Sequence, residues 1–576
     1  MERRPGRSLR EPGTAETPDT YGAYPRLSDG QIAKLEALGH CRRVKRGEPL
    51  FREGDRNCDF LVVRAGTVAV VEALGTAGER IISTHGPGRF LGELGLLTGE
   101  AAFYSAVAAE EGEVLAVPAG QLRNLVTRDP AVGDVILRAC LIRRSLLAGL
   151  GVGLRIVGSR YSPDARRLRD FAARNRLPAQ WLDLEDDRRV EALLTQLGVT
   201  PEETPIVILY GRRLLRNPGN AELAAAIGLP APGQPHASCE LLVVGAGPAG
   251  LSAAVYGASE GLETIVLEGT ATGGQAGTSS RIENYLGFPS GISGDELAIR
   301  AVLQARKFGA RLKVPAEAAS VQLDDGHCTV RLADGSLVSS RLLVIATGAR
   351  YRRPDLPRLE HFEQMSIYYA ASQAEAMLCR GDEVAILGGG NSAGQAAAFL
   401  AQHAARVTLI AREQDLSESM SRYLISQLRQ SGNVRVLLGV QAQELQGAQR
   451  LEAVVVTGPA GARRVVPARA LFIFIGVMPC TGWLGSLVAL DQHGFVRTGQ
   501  DAELTAGQPG ETEWRRSMLE TSQAGLFAVG DVRSGSTKRV AAAVGEGAMA
   551  IRLAFARRQL SPGERSDHAG DGVCQV

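Results

Sequence analysis

Short apolar runs that stop at glycine recur along this chain. Leu241-Leu242-Val243-Val244 meets Gly245-x-Gly247-x-x-Gly250, and Thr264-Ile265-Val266-Leu267 follows after a helix-length stretch. The order repeats in Val384-Ala385-Ile386-Leu387, Gly388-x-Gly390-x-x-Ala393 and the run from Arg406 to Ile410. Each pattern predicts a strand, a glycine turn, a helix and a second strand, the arrangement that binds a dinucleotide. Gly245 permits the tight turn, Gly247 lets the backbone approach a pyrophosphate, and Gly250 lets helix and strand pack closely. Pro248 and Ala249 open the first helix, Asn391 and Ser392 the second, each aiming unpaired N–H groups at phosphate. Glu268 ends the second strand of the first unit, where a carboxylate accepts from ribose hydroxyls. A lone glycine turn often only joins strand to helix. Two in one chain point to two redox nucleotides with electrons passing between them, and so to a flavoenzyme.

The N-terminal half has a different pattern. Short apolar strands alternate with glycine turns at Pro49-Leu50-Phe51, Phe60 to Val63, Gly66 to Val71 and Glu113 to Val117, before a helix from Ala131 to Leu147. From Leu154 to Leu229 the pattern changes to strand, helix, strand, helix, strand and helix, with Thr204-Pro205 before the third strand.

Composition narrows the class. The 576 residues carry 64 basic and 62 acidic side chains, a net charge of +2, which asks for neither nucleic acid nor an anionic membrane. No apolar run reaches the roughly 18 residues of a membrane span. Arg3, Arg4, Arg7 and Arg10 precede no hydrophobic stretch, so residues 1–25 read as a disordered tail and not a signal peptide. The eight cysteines include no CxxC pair, which fits a reducing cytoplasm and argues against a disulfide framework or a zinc site. No metal site is expected.

Residues 238–559 resemble the low-molecular-weight thioredoxin reductase family. The resemblance rests on the Gly245 and Gly388 turns, Gly273-Gly274-Gln275, Glu283-Asn284-Tyr285-x-Gly287-Phe288-Pro289, Ala346-Thr347-Gly348, Ile475-Gly476-x-x-Pro479 and Gly525 to Asp531. It implies an α/β fold of two Rossmann-type dinucleotide-binding domains, the NAD(P) domain (356–479) inserted in the FAD domain (238–355 and 480–560), and a homodimer. It also implies that Gly274, Gln275, Asn284, Gly348, Gly530 and Asp531 join the first turn in holding FAD, with Asp531 on the ribityl chain. Arg539, Val540 and Ala541 would lie at the start of the last helix, beside the flavin. Gly388, Gly390, Asn391, Ser392, Ala393, Arg412, Ile475 and Gly476 would hold NADPH or NADH.

Two departures matter. Where the family places its redox CxxC, this chain reads Tyr369-Ala370-Ala371-Ser372. Tyr369 and Ser372 cannot form a disulfide, so the family's dithiol relay is not expected. Relatives without CxxC imply a one-electron protein acceptor such as ferredoxin or flavodoxin; a quinone, a small disulfide or oxygen are alternatives. A disulfide reductase recruiting Cys379 or Cys574, and a slow-turnover redox or ligand sensor, are the competing classes. The family's His-Arg-Arg-x-x-x-Arg run on the 2′-phosphate becomes Ala411-Arg412-Glu413-Gln414-Asp415-Leu416-Ser417, with only Arg412 surviving. With Arg422 able to reach back, this leans to NADPH, although Glu413 has the wrong charge for a phosphate.

Residues 26–150 resemble a cyclic nucleotide-binding β-roll, with Gly92, Glu93 and Leu94 in its phosphate cassette. The family's phosphate-binding arginine is missing from Gly99 to Ser105, so a cyclic nucleotide is expected to bind weakly, with another small effector or none as the alternative, and the domain is read as regulating the oxidoreductase. Residues 151–232 resemble glutaredoxin and its thioredoxin fold, with Ser162 and Ala165 at the cysteine positions, which implies a redox-dead spacer or docking surface. Residues 230–236 read as a linker and 561–576 as a flexible tail.

Overall fold

A computed structural model describes residues 15–560, apart from Asn57, Ala77, Glu93, 186–187, Arg212, 230–235, 280–281, Glu283, Asp325, 363–365, Ala370, 372–374, 377–378, 459–460 and 503–516. The expected linker and both distal tails therefore lie wholly or largely outside the described residues, as do Glu93, Ser372 and Cys574.

The N-terminal strands form two four-stranded antiparallel sheets. One runs His40–Val44, Gly112–Val117, Phe60–Ala65, Phe90–Leu91; the other runs Pro49–Phe51, Ser105–Ala108, Val68–Glu72, Arg80–His85. Pro130–Gly149 closes them as a 20-residue helix capped by Asp129. The next sheet has the order Ala179–Asp183, Leu154–Gly158, Ile206–Leu209, Arg213–Arg216, with the first pair parallel and the rest antiparallel. Arg213–Arg216 is a strand that the sequence pattern did not call for.

His236–Val244 is the centre of a seven-stranded sheet and pairs in parallel with Thr264–Leu267 and Leu337–Ile345. Leu241, Leu242 and Val243 are fully buried, as a strand with both faces covered requires. After Leu337–Ile345 the chain leaves this sheet and, among the described residues, returns as Leu526–Ala528. The excursion holds a five-stranded parallel sheet in the order Ile367–Tyr368, Ala470–Ile473, Glu383–Leu387, Arg406–Ile410, Val434–Leu437. The outgoing and returning segments pair with each other, Ala349–Tyr351 against Val477–Pro479.

Small residues set the spacing of the helices. A Cβ on Gly547 of the helix Val540–Leu560 would overlap the carbonyl oxygen of Ala249 in the helix Pro248–Ser259. The two helices therefore touch backbone to backbone above the Gly245 turn.

The helix Gly294–Lys307 joins the large sheet to the N-terminal roll. Ile299 and Leu303 are buried in the same apolar cluster as Phe60, Phe90, Leu115 and Ile136. Around them Arg300 pairs with Asp134 (3.1 Å), Arg306 Nη1 donates to Thr98 O (2.7 Å), and Lys307 donates to Thr127 O (3.0 Å). A buried ion pair, Arg144 with Glu100 (2.9 Å), continues the link. Arg144 Nη1 donates to Arg176 O (3.3 Å), and Arg176 pairs with Asp295 (2.8 Å) at the start of Gly294–Lys307.

Candidate active site: a cleft between two glycine turns

The first glycine turn is built by exclusion. Gly245 has φ +108°, and a Cβ there would overlap Ala346 O; a Cβ on Gly250 would overlap Gly245 O. At Gly247, the N-cap of the helix Pro248–Ser259, a Cβ would meet only Gly274 Cα, at 3.8 Å. Its bare backbone faces an open cavity of about 1630 Å³. Glu268 is fixed at the rim of this turn, since the N–H groups of Ala246 (2.9 Å) and Thr270 (3.0 Å) donate to its two oxygens. A carboxylate has about four acceptor positions, so lone pairs remain for hydroxyl donors in the cavity.

Gly245, Gly247, Pro248, Ala249, Glu268, Gly274, Gln275, Asn284, Gly348, Gly530, Asp531, Arg539 and Val540 all line this cavity. Gly250 and Ala541 do not: the first spaces helix from turn, and the second lies on the helix Val540–Leu560, whose residues Val540 and Ala543 line the cavity instead. Gln275 Nε2 points at Ala349 O (3.5 Å). Asp531 has its carboxyl raised above the ordinary value, chiefly by burial; Lys538 draws it back and Glu546 pushes it further up. The glycine cradle, the fixed glutamate and the buried Asp531 carboxyl, all lining one cavity, are the donor and acceptor set that an FAD would need.

The second turn repeats the first. Gly388 has φ +139°, and a Cβ there would overlap Phe474 O, as Gly245 approaches Ala346 O. Gly390 is the N-cap of the helix Asn391–Leu400, and Ala393 is fully buried beneath it. Asn391 Oδ1 accepts from Ser421 N (2.8 Å). Ile475 and Gly476 (φ +104°) follow the strand Ala470–Ile473, as Thr347 and Gly348 follow Leu337–Ile345. Of these residues only Asn391 and Ser392 line the large cavity; Gly388, Gly390, Ala393, Arg412, Ile475 and Gly476 do not. Arg412 is directed outward, its side chain 80% exposed.

Tyr368 and Tyr369 part company. Tyr368 packs on Phe472 (5.1 Å between ring centroids) inside the inserted sheet, whereas Tyr369 stacks on Tyr351 at 6.1 Å with planes 23° apart. Tyr351 lines the cavity, and its phenol is raised by burial and by the charge of Asp531. Tyr351, Arg350, Cys480, Trp483, Lys538 and Arg174 are lining residues that sequence reasoning missed. None belongs to a glycine motif, and Arg174 comes from another sheet's helix, Pro163–Arg174.

In the N-terminal roll Gly92 has φ +145°, and its carbonyl accepts from Arg143 Nη1 (2.9 Å). Leu94 begins the helix Leu94–Thr98 and is buried. The cavity here, walled by Phe51, Gly92, Glu100 and Tyr104 among others, holds about 20 Å³, against roughly 300 Å³ or more for a small-molecule site.

No helix among the described residues is long and apolar enough to cross a membrane. Comparison with known proteins agrees with the two-turn geometry. Residues 239–547 match the pyridine nucleotide-disulphide oxidoreductase family model, and residues 41–129 match the cyclic nucleotide-binding domain model. The chain is similar to the 34.2 kDa protein in the rubredoxin operon of Clostridium pasteurianum, 29% identical over 55% of this chain and 96% of that protein. It is also similar to the thioredoxin reductase of Mycoplasmopsis pulmonis, 27% identical over 54% of this chain and 95% of that enzyme. Among solved structures, the thioredoxin reductase of T. acidophilum aligns at 26% identity over 56% of this chain and 99% of its own, with a TM-score of 0.49. The chain belongs to the pyridine nucleotide-disulphide oxidoreductase family, as a thioredoxin reductase-like α/β oxidoreductase with a cyclic nucleotide-binding domain near its N-terminus.

Proposed function

We propose that this enzyme takes hydride from a nicotinamide dinucleotide at the Gly388 turn onto FAD held at the Gly245 turn, and passes the electrons to a separate acceptor. The observation that carries this reading is the duplicated turn, with Gly245 against Ala346 O in the mixed seven-stranded sheet and Gly388 against Phe474 O in the five-stranded parallel sheet inserted in it. When bound, FAD supplies a ring that accepts two electrons as hydride and returns them singly or in pairs. The chain's own residues bind and orient. The N-terminus of Pro248–Ser259 faces the pyrophosphate, Glu268 fixes the ribose and Asp531 accepts from the polyol. The start of Val540–Leu560, with Arg539 and Lys538, puts positive potential at the cavity wall. The cavity reaches the second turn only at Asn391 and Ser392, at the start of its helix, and not at Gly388 or Gly390, so the reading includes a rotation of the inserted domain about the paired segments Ala349–Tyr351 and Val477–Pro479.

A one-electron protein such as ferredoxin or flavodoxin is the proposed acceptor class. Tyr369 occupies a place where the family's relay would stand, and Cys379 is a poor substitute: it is buried, and burial first of all pushes its thiol up to about 11. The region from Leu154 to Ala226 is read as a thioredoxin-fold module without redox cysteines, a reading its strand order supports. There Ser162 Oγ caps a helix by accepting from Ala165 N (3.2 Å). The protein is taken to act as a homodimer in the cytoplasm. An anaerobic acceptor panel tests the reading. Turnover with ferredoxin or flavodoxin and none with thioredoxin is expected. Thioredoxin turnover that disappears on replacing Cys379 and Cys574 with serine would transfer the chain to the disulfide reductases. Flavin retention without turnover on any acceptor would make it a sensor.

A further inference from the structure

We propose that Glu413 makes the Gly388 turn selective for NADH over NADPH. The inference rests on the reading that this turn binds a nicotinamide dinucleotide.

Glu413 lies three residues beyond the strand Arg406–Ile410, further along than the usual ribose-binding acid. The backbone is folded back there: Ala411 N donates to Leu437 O (2.9 Å), Val440 N to Ala411 O (3.1 Å) and Gly439 N to Glu413 O (2.9 Å). That fold returns the side chain to the glycine turn. A Cβ on Gly389 would overlap Glu413 Oε2, so the carboxylate lies against the second residue of the turn. In the first unit Glu268 occupies the corresponding place, bonded to the N–H of Ala246, the second residue of that turn. The two carboxylates reach the same position from different points in the sequence.

Their partners differ. Glu268 receives two backbone N–H groups, whereas Glu413 Oε2 is buried without a hydrogen-bond partner. Its other oxygen is 3.6 Å from Arg412 Nε, on an arginine whose side chain is 80% exposed. A buried carboxylate oxygen without a donor is costly, and a ribose 2′,3′-diol supplies two O–H donors. A 2′-phosphate supplies none when fully ionised and brings about −1.5 to −2 charges toward an anion already in place. Arg412 can offset part of this only by leaving solvent. The unphosphorylated ribose is the better fit.

The test uses the FAD-loaded protein and two fragments with no nicotinamide ring, ADP-ribose and its 2′-phosphate, titrated by calorimetry. ADP-ribose is expected to bind roughly 10- to 100-fold tighter. Glu413→Gln should narrow that ratio and Glu413→Arg should invert it; the isosteric glutamine keeps the test alive where arginine fails to fold. Equal binding, or tighter binding of the 2′-phosphate to the unaltered protein, overturns the role of Glu413 and leaves the nucleotide site standing. Binding of neither fragment, with no flavin bleaching by NADH or NADPH, overturns the site itself.

Discussion

A methyl group on Gly250 would overlap the carbonyl oxygen of Gly245, and one on Gly388 would overlap that of Phe474. Gly250→Ala must therefore part the turn from its helix, at a cost of about 1–3 kcal/mol of overpacking. A lower melting temperature and a lower ratio of flavin to protein absorbance are the expected readings. Asp531 offers a different balance. Its carboxyl is raised in the fold, mainly by burial, so the folded apoprotein holds the proton more tightly than the unfolded chain. Stability is then lost as pH rises from the unfolded value through the folded one. Asp531→Asn removes that loss. At pH 7 its apoprotein should melt no lower than the unaltered one, while FAD dissociates more readily because an anionic acceptor is gone. An apoprotein that melts lower would contradict the assigned direction. Glu268 is legible in the sequence because it stands at a strand end beside a glycine motif, whereas Asp531 is legible only through the family resemblance of Gly525 to Asp531. Glu413 is only half legible: its charge is plain, but the backbone bonds that turn it toward Gly389 are not written in spacing. Tyr351 carries no motif, and only pairing of the two crossover segments brings it beside Asp531.

Elements that look independent in sequence share cores. Gly294–Lys307 follows the Gly273-Gly274-Gln275 loop of the cleft, yet it buries Ile299 and Leu303 against the N-terminal roll. Leu303→Ala should cost about 2–5 kcal/mol, and differential scanning calorimetry should show the N-terminal region losing stability. An unchanged trace would mean the roll is not held there. The end of Pro163–Arg174 is a second bridge: Arg174 lines the cleft, Asn175 Nδ2 donates to Thr270 O (3.0 Å), and Arg176 pairs with Asp295 (2.8 Å). Arg174→Ala should speed FAD release, followed by flavin fluorescence after dilution, without lowering the apoprotein's melting temperature. The strands of this region are readable from alternating apolar residues. Its docking is not, because Arg174, Asn175 and Arg176 look like an ordinary charged helix end.

Across the whole molecule, two ion pairs joined by one hydrogen bond run from the cassette of the roll to the cleft. Glu100 pairs with Arg144, Arg144 donates to Arg176 O, and Arg176 meets Asp295, the second residue of the helix Gly294–Lys307. Glu100 therefore sits in the cassette as an anion already neutralised from within, in a cavity of about 20 Å³. Cyclic AMP should show no sub-micromolar binding by calorimetry, and a tight isotherm would refute this. The central claim concerns the other end of the chain, that two glycine turns in one molecule exchange a hydride. Anaerobic stopped-flow mixing of the FAD-loaded protein with NADH, and separately with NADPH, tests it most directly. Rapid bleaching of the flavin band, faster with NADH, is the expected result. An oxidised flavin that persists with both nucleotides would contradict the account.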